Sequence, residues 1–156
     1  MKVERICTRQ VVAIARTGTA LEAAQAMRRF HVGALLVTEK TATKPEAVGI
    51  VTDRDLVLQI LAEGLDGRRV AVEKVMTPVL ASVAENADAL EALGRMRAAG
   101  VRRLLVTTEQ GEPSGLLSLD DLVDGLAAEL ASAAALMKEE FRREQSLAGD
   151  KPGRSA

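Results

Sequence analysis

The feature that most constrains this chain is an internal duplication. Residues 6–38 align without a gap with residues 75–107, at a constant offset of 69. The offset then falls to 66, because the loop at 39–48 is three residues longer than the loop at 108–114. Any fold of the chain must therefore accommodate one structural unit twice.

Each copy ends in the same short motif, which reads GIVTDRD at 49–55 and GLLSLDD at 115–121. The glycine and the aliphatic residues predict a turn followed by a short buried strand. The hydroxyl residue can cap the next helix, and an acidic residue suits its first turn. Each motif thus leaves a hydroxyl and a carboxylate side by side, where they either cap a helix or hydrogen-bond the vicinal hydroxyls of a ribose.

The other elements of each unit follow from apolar periodicity. Strands are predicted at 11–14 and 80–83, and each leads into a helix with a capping box, formed by Thr19 with Glu22 and by Asp88 with Glu91. Aliphatic runs at 34–37 and 104–106 predict fully buried strands, and a second helix follows each glycine motif. The order is β-α-β-β-α, twice. We predict an α+β fold in which the two repeats pack sheet to sheet about a pseudo-two-fold axis.

The second repeat is predicted to continue into a long helix. Its apolar stripe includes Leu130, Met137 and Phe141, and one small domain cannot cover it. A second copy of the chain either binds this stripe, or the helix folds back on its own domain. The predicted boundaries are a first repeat at 3–64, a connector at 65–74, a second repeat at 75–130, a helical extension at 131–146 and a disordered tail at 147–156.

Composition argues against several classes of function. The sequence has no Trp or Tyr, two Phe and a net charge of −1, so neither base stacking nor a basic face for nucleic acid is expected. No apolar run is long enough to span a membrane, which predicts a cytoplasmic protein. With one cysteine (Cys7) and one histidine (His31), the chain lacks a Cys/His zinc site and a Cys-His nucleophile. We therefore predict no metal site, no catalytic residues and no enzyme activity.

Four segments of the second copy, with their counterparts in the first, carry a resemblance to a known family. They are VMTP at 75–78, the helix at 89–96, GVRRLLV at 100–106 and the motif at 115–122. Together they resemble the cystathionine-β-synthase (CBS) domain pair, also called a Bateman module, over about residues 3–130. The resemblance implies a regulatory module without a required cofactor, with two clefts that in this family often hold AMP, ADP, ATP, NAD or S-adenosylmethionine. It also implies a homodimer whose geometry reports the ligand to an effector protein that the sequence does not identify.

The resemblance further implies the residues of the nucleotide site. The ribose-binding pairs correspond to Thr52 with Asp55 and to Ser118 with Asp121, and the positions that flank the adenine correspond to Val32 and Val101. The phosphate-contacting residues correspond to Arg102 and Arg103. The ligand contacts at the start of each repeat correspond to Thr8 and Val11, and to Thr77 and Leu80. A guanidinium fork suits phosphate geometry. The first-repeat counterparts of the two arginines are Gly33 and Ala34, so unequal clefts are expected, although Arg54 can lend charge to the first.

Two interpretations of function stay open at this point. Either the clefts bind a nucleotide and the chain is a ligand sensor, or they stay empty and the chain is a structural dimerisation module. The hydroxyl–carboxylate pairs distinguish them, because a pure helix cap affects stability alone.

Overall fold

The computed structural model describes residues 1–42, 44–78 and 81–149. The first repeat contains strands β1 (Ala13–Ala15), β2 (Ala34–Lys40) and β3 (Pro45–Thr52), with helices α1 (Ala20–Phe30) and α2 (Asp53–Leu56), and α2 runs into a π-helical turn (Val57–Leu61). The second contains strands β4 (Thr77–Pro78), β5 (Ser82–Ala84), β6 (Arg103–Thr107) and β7 (Pro113–Ser118), with helices α3 (Ala89–Ala99) and α4 (Leu119–Gly149). Short 3₁₀ turns precede the first strand of each repeat, at Val3–Arg5 and Val72–Lys74.

The strands form two sheets, in the orders β1-β2-β3-β4 and β5-β6-β7. In each repeat the first strand runs parallel to the second, and the second is antiparallel to the third. Strand β4 comes from the second repeat but pairs with β3 of the first, with Thr77 opposite Ile50. Reciprocally, Thr8 of the first repeat forms a bridge with Leu116 in β7. This mutual exchange confirms the predicted pair of repeats and the predicted fold class.

The apolar core also joins the two repeats. Val3 is fully buried in the core of the second repeat, and Val72 is fully buried in the core of the first. A third cluster lies between the sheets and brings together Leu36, Ile50 and Leu105. Each repeat therefore completes its core with a residue from the start of the other, so the two halves stabilise each other by burying apolar surface.

The prediction that the motif glycines form turns is wrong, because Gly49 and Gly115 lie inside strands β3 and β7. A β-carbon on Gly49 would lie 3.0 Å from the carbonyl oxygen of Thr77, and one on Gly115 would lie 2.9 Å from that of Thr8. Glycine in a strand interior often marks such a close backbone approach. The glycines are therefore needed where the start of one repeat crosses the sheet of the other.

A capping box was predicted at the first helix of each repeat, and only the box of the first repeat is present. The Thr19 hydroxyl accepts a hydrogen bond from the Glu22 amide at 3.2 Å, and the Glu22 carboxylate accepts one from the Thr19 amide at 2.7 Å. The box predicted at Asp88 is wrong, because its side chain makes no capping hydrogen bond. Its carboxylate instead lies 3.3 Å from the Lys2 ammonium group, since the N-terminal segment bridges to this residue.

Helix α4 is continuous from Leu119 to Gly149. It therefore extends three residues into the segment predicted as a disordered tail, and the rest of that segment, residues 150–156, lies outside the described residues. Leu130, Met137 and Phe141 are 72%, 70% and 61% exposed. Within the described residues, no helix combines the length and the apolar character needed to cross a membrane.

Candidate functional site

A cleft of about 660 Å³ opens between the two repeats. The first repeat contributes the end of β3 and all but the last residue of α2. The second contributes β4, the residues between α3 and β6, and the start of α4. The lining residues are Ile50, Thr52, Asp53, Arg54, Asp55, Thr77, Pro78, Ala81, Gly100, Val101, Arg102, Arg103 and Asp120.

The hydroxyl–carboxylate pair of the first repeat lies in this cleft as a complete capping box. The Thr52 hydroxyl lies 2.7 Å from Asp55 Oδ2 and accepts from the Asp55 amide at 3.2 Å. Asp55 Oδ2 also accepts from the Thr52 amide at 2.8 Å. The other carboxylate oxygen, Oδ1, makes no hydrogen bond with the described residues, so it remains an acceptor for a ligand hydroxyl.

Three guanidinium groups line the same cleft. Arg102 is 3.8 Å from the Asp120 carboxylate in an ion pair whose members are 69% and 76% exposed, so the pair is weak. Arg103 begins β6 and is half-buried. Within the described part of the chain, neither Arg103 nor Arg54 forms an ion pair. These guanidinium groups can therefore bind an anionic group, and bidentate phosphate contacts suit their geometry.

Comparison with known proteins identifies the family. The CBS domain model matches the chain twice, at residues 3–62 and 72–128. The chain belongs to the CBS domain family. CBS pairs are regulatory modules, and CBS domains commonly bind adenine nucleotides.

Individual relatives agree with this assignment. The chain is 34% identical to a CBS domain-containing protein of Bacillus subtilis (strain 168), over 81% of this chain and 87% of that protein. It is 28% identical to an uncharacterized protein of Methanopyrus kandleri over 79% of this chain, and there it spans 61% of the relative's length. Among solved structures it is similar to a CBS domain protein from Pyrobaculum aerophilum complexed with AMP. That match has a TM-score of 0.69, 25% identity, and coverage of 85% of this chain and 99% of that one.

The cleft combines residues of both CBS repeats, whereas the sequence-based prediction assigned the arginines to the clefts by repeat. Thr52 and Asp55 of the first repeat face the same space as Arg102 and Arg103 of the second. Arg54 also lines this cleft, so it adds to the two arginines and does not replace them. The cause is tertiary, because β4 crosses onto the first sheet and brings the second repeat against the end of β3.

Five of the remaining predicted site residues lie elsewhere in the described structure. Ser118 and Asp121 form a second complete capping box, with a hydroxyl–carboxylate distance of 2.6 Å. Thr8 pairs with Leu116 two residues before that box. Val11 and Val32 pack against apolar clusters. Leu80 lies outside the described residues.

Two acidic residues of the cleft stand at helix starts, where the sequence alone predicts a solvent-facing charge. Asp53 and Asp120 are exposed, but both line the cleft. The only feature of the sequence that indicates a place in the cleft is that each lies within two residues of a predicted ribose carboxylate. His31 follows α1 as its C-cap, in the left-handed conformation (φ 53°).

The single thiol lies beside the second capping box. A β-carbon at Gly115 would lie 3.2 Å from Cys7 Sγ. Burial raises the pKa of the Cys7 thiol, Arg9 opposes the shift, and the carboxylates of Glu85 and Asp121 add to it. The described residues hold no group of three or more His, Cys, Asp or Glu side chains that could bind a metal ion.

Proposed function

We propose that this CBS pair is a regulatory sensor that binds an adenosine nucleotide, such as AMP, ADP, ATP or NAD, in the clefts between its repeats. The observation that carries the proposal is the 660 Å³ cleft, which unites the Thr52–Asp55 pair with Arg102 and Arg103. Ligand pockets commonly measure about 300–1,000 Å³. The similar Pyrobaculum aerophilum protein, complexed with AMP, supports this choice of ligand.

The groups in the cleft suit the three parts of a nucleotide. Asp55 Oδ1 accepts a ribose hydroxyl while Oδ2 keeps the helix cap. Val101 and Thr77 both line the cleft, and Val101 offers an apolar contact for the adenine ring. Arg102 and Arg103 bind the phosphates. The proposed counterpart site uses Ser118 and Asp121 with Thr8, Val11 and Val32.

Signalling follows from where the cleft lies. A ligand that contacts both repeats favours the arrangement in which its partners are correctly spaced, and so shifts the population of arrangements. A second copy of the chain would then respond through the dimer geometry. We propose that an effector protein recognises this change.

We propose a second copy as the partner of the α4 extension. Apolar and small residues recur along α4 at alternating spacings of four and three, which is the 3.5-residue period of a coiled-coil seam. The large members of the seam are more than half exposed. The seam begins in the part of α4 that belongs to the second repeat and continues along the extension. Its members are Val123, Ala127, Leu130, Ala134, Met137 and Phe141.

A structural dimerisation module with empty clefts is the second candidate. The observation that favours it is the completeness of both capping boxes, because Asp55 and Asp121 already have a stabilising role without any ligand. In that case the dimer interface and α4 would be the whole function.

A thermal-shift titration with AMP, ADP, ATP, NAD and S-adenosylmethionine tests the proposal. A ligand at 100 times its dissociation constant stabilises the folded state by about 2.7 kcal/mol, which raises the melting temperature. Asp55→Asn should reduce this rise, because in its cleft the amide oxygen can keep the cap while the amide nitrogen, a donor, replaces the free acceptor.

Asp88→Asn is the matched control, since Asp88 also begins a helix but makes no capping bond and lies outside the cleft. It should keep the full thermal shift. Unchanged melting temperatures with all five compounds would refute the sensor and favour the dimerisation module.

A further inference from the structure

We infer that a phosphorylated nucleotide binds in only one of the two clefts, the one at Thr52 and Asp55, with one molecule per chain. The pseudo-equivalent cleft at Ser118 and Asp121 is unsuited to phosphate. This inference rests on the proposed function and specifies which site performs it.

The first observation is the loss of two cations. Arg103 lies opposite Ser118 in its sheet, and Ala34 lies opposite Thr52 in the other sheet, so the two residues hold the same structural place. Since Arg103 lines the Thr52 cleft, the pseudo-two-fold relation assigns Ala34 to the Ser118 cleft. Arg102 is likewise replaced by Gly33. The positions that supply guanidinium groups to one cleft therefore supply none to the other.

The second observation is that a carboxylate lies beside Gly33, the counterpart of Arg102. A β-carbon on Gly33 would lie 3.2 Å from Asp53 Oδ2, and the Asp53 amide donates to the Gly33 carbonyl oxygen at 3.1 Å. At the matching place in the second repeat, Leu119 donates to the Arg102 carbonyl oxygen and brings no charge. Asp53 also lines the Thr52 cleft, so its charge alone does not distinguish the two clefts. The difference beside Gly33 is the missing guanidinium group, because Arg102 supplies one at the matching place of the second repeat.

The third observation concerns the other cations near the Ser118 cleft. Arg9, the counterpart of Pro78, lies 3.2 Å from the Glu85 carboxylate and 4.0 Å from that of Glu4, so its charge is already balanced. The counterpart of Arg54 is Asp120, which carries no positive charge and itself lines the Thr52 cleft. The counterpart of Gly100 is His31, which is exposed. None of these described positions offers an unbalanced permanent cation comparable to Arg103.

Isothermal titration calorimetry of the full chain with ATP, AMP and adenosine at neutral pH tests the inference. For ATP we expect one molecule per chain. Asp55→Asn should weaken ATP binding at least tenfold, whereas Asp121→Asn should change it less than twofold. Arg103→Ala should weaken ATP binding about tenfold and adenosine binding less than twofold, because adenosine carries no phosphate.

The outcomes separate this inference from the proposed function. Two equivalent ATP sites per chain, or an equal loss of affinity in Asp121→Asn and Asp55→Asn, would overturn the one-cleft inference while supporting nucleotide binding. Failure of the unaltered chain to bind any of the three compounds would overturn both. Circular dichroism of each variant shows whether a loss of binding comes from unfolding, and Arg95→Ala, on α3 outside the cleft, is the control for removal of an exposed arginine.

Discussion

Replacing Gly115 with alanine tests whether the crossing of the two repeats holds this protein together. The new methyl carbon would lie 2.9 Å from the carbonyl oxygen of Thr8 and 3.2 Å from Cys7 Sγ. The nearer atom belongs to the backbone, so it cannot turn away as a flexible side chain can. Thr8 is moreover fixed by two hydrogen bonds to Leu116, of 2.9 and 3.0 Å.

The expected destabilisation follows from these contacts. Overpacking of this kind costs about 1–3 kcal/mol, and each hydrogen bond lost at the crossing adds about 0.5–1.5 kcal/mol. The smaller entropy of an unfolded chain with alanine offsets about 0.4–1 kcal/mol. We therefore expect Gly115→Ala to lower the free energy of unfolding by roughly 1–3 kcal/mol.

Urea denaturation of Gly115→Ala and Gly94→Ala in parallel provides the measurement and its control. Gly94 lies inside α3, and a β-carbon there would meet no atom within 4 Å. Its replacement should raise stability by about 0.5–1 kcal/mol, because alanine is the better helix former. Equal stabilities of Gly115→Ala and the unaltered chain would show that the close approach of Thr8 does not constrain the fold.

Three further predictions concern a helix cap, the dimer and the thiol. Thr19→Ala should cost about 1 kcal/mol of stability and Asp88→Ala less than about 0.5 kcal/mol in urea denaturation, because only the first makes capping bonds; equal costs would contradict this. Met137→Glu should shift the molar mass measured by light scattering towards the monomer, whereas Leu136→Glu, similarly exposed at 62% but off the seam, should not; equal effects would argue against the seam. Since burial raises the pKa of Cys7, its reaction with Ellman's reagent at pH 8 should be slower in the folded than in the urea-unfolded chain, and the stability it contributes should fall as the pH rises above about 9; equal rates would refute the shift.

Much of the fold could be predicted from sequence because the relevant signals are local. The repeat register, the aliphatic runs and the Thr19–Glu22 box depend on residues within one unit, and the structure bears these predictions out. Asp88 shows the limit of local reasoning. Its sequence context matches a capping box, but Lys2, which is distant in sequence, pairs with its carboxylate.

The candidate site was only partly predictable, because its residues come from both repeats. The resemblance to the CBS family implied the individual positions, such as Asp55 and Arg103, but the sequence-based prediction assigned the arginines to a cleft by repeat. Which of them share a cleft depends on β4 pairing with β3, which no local pattern encodes. The cleft acidic residues Asp53 and Asp120 were missed for the same reason.

The sequence by itself determined that this chain is a duplicated α+β unit of the CBS family with a long terminal helix. Periodicity and spacing encode such features within a few turns of chain. Only the tertiary structure decided that Gly49 and Gly115 lie at strand crossings and that three arginines share one cleft with Asp55. The physical reason is that neither repeat can bury its own core alone, so each completes it with a segment from the other, and that exchange brings distant residues together.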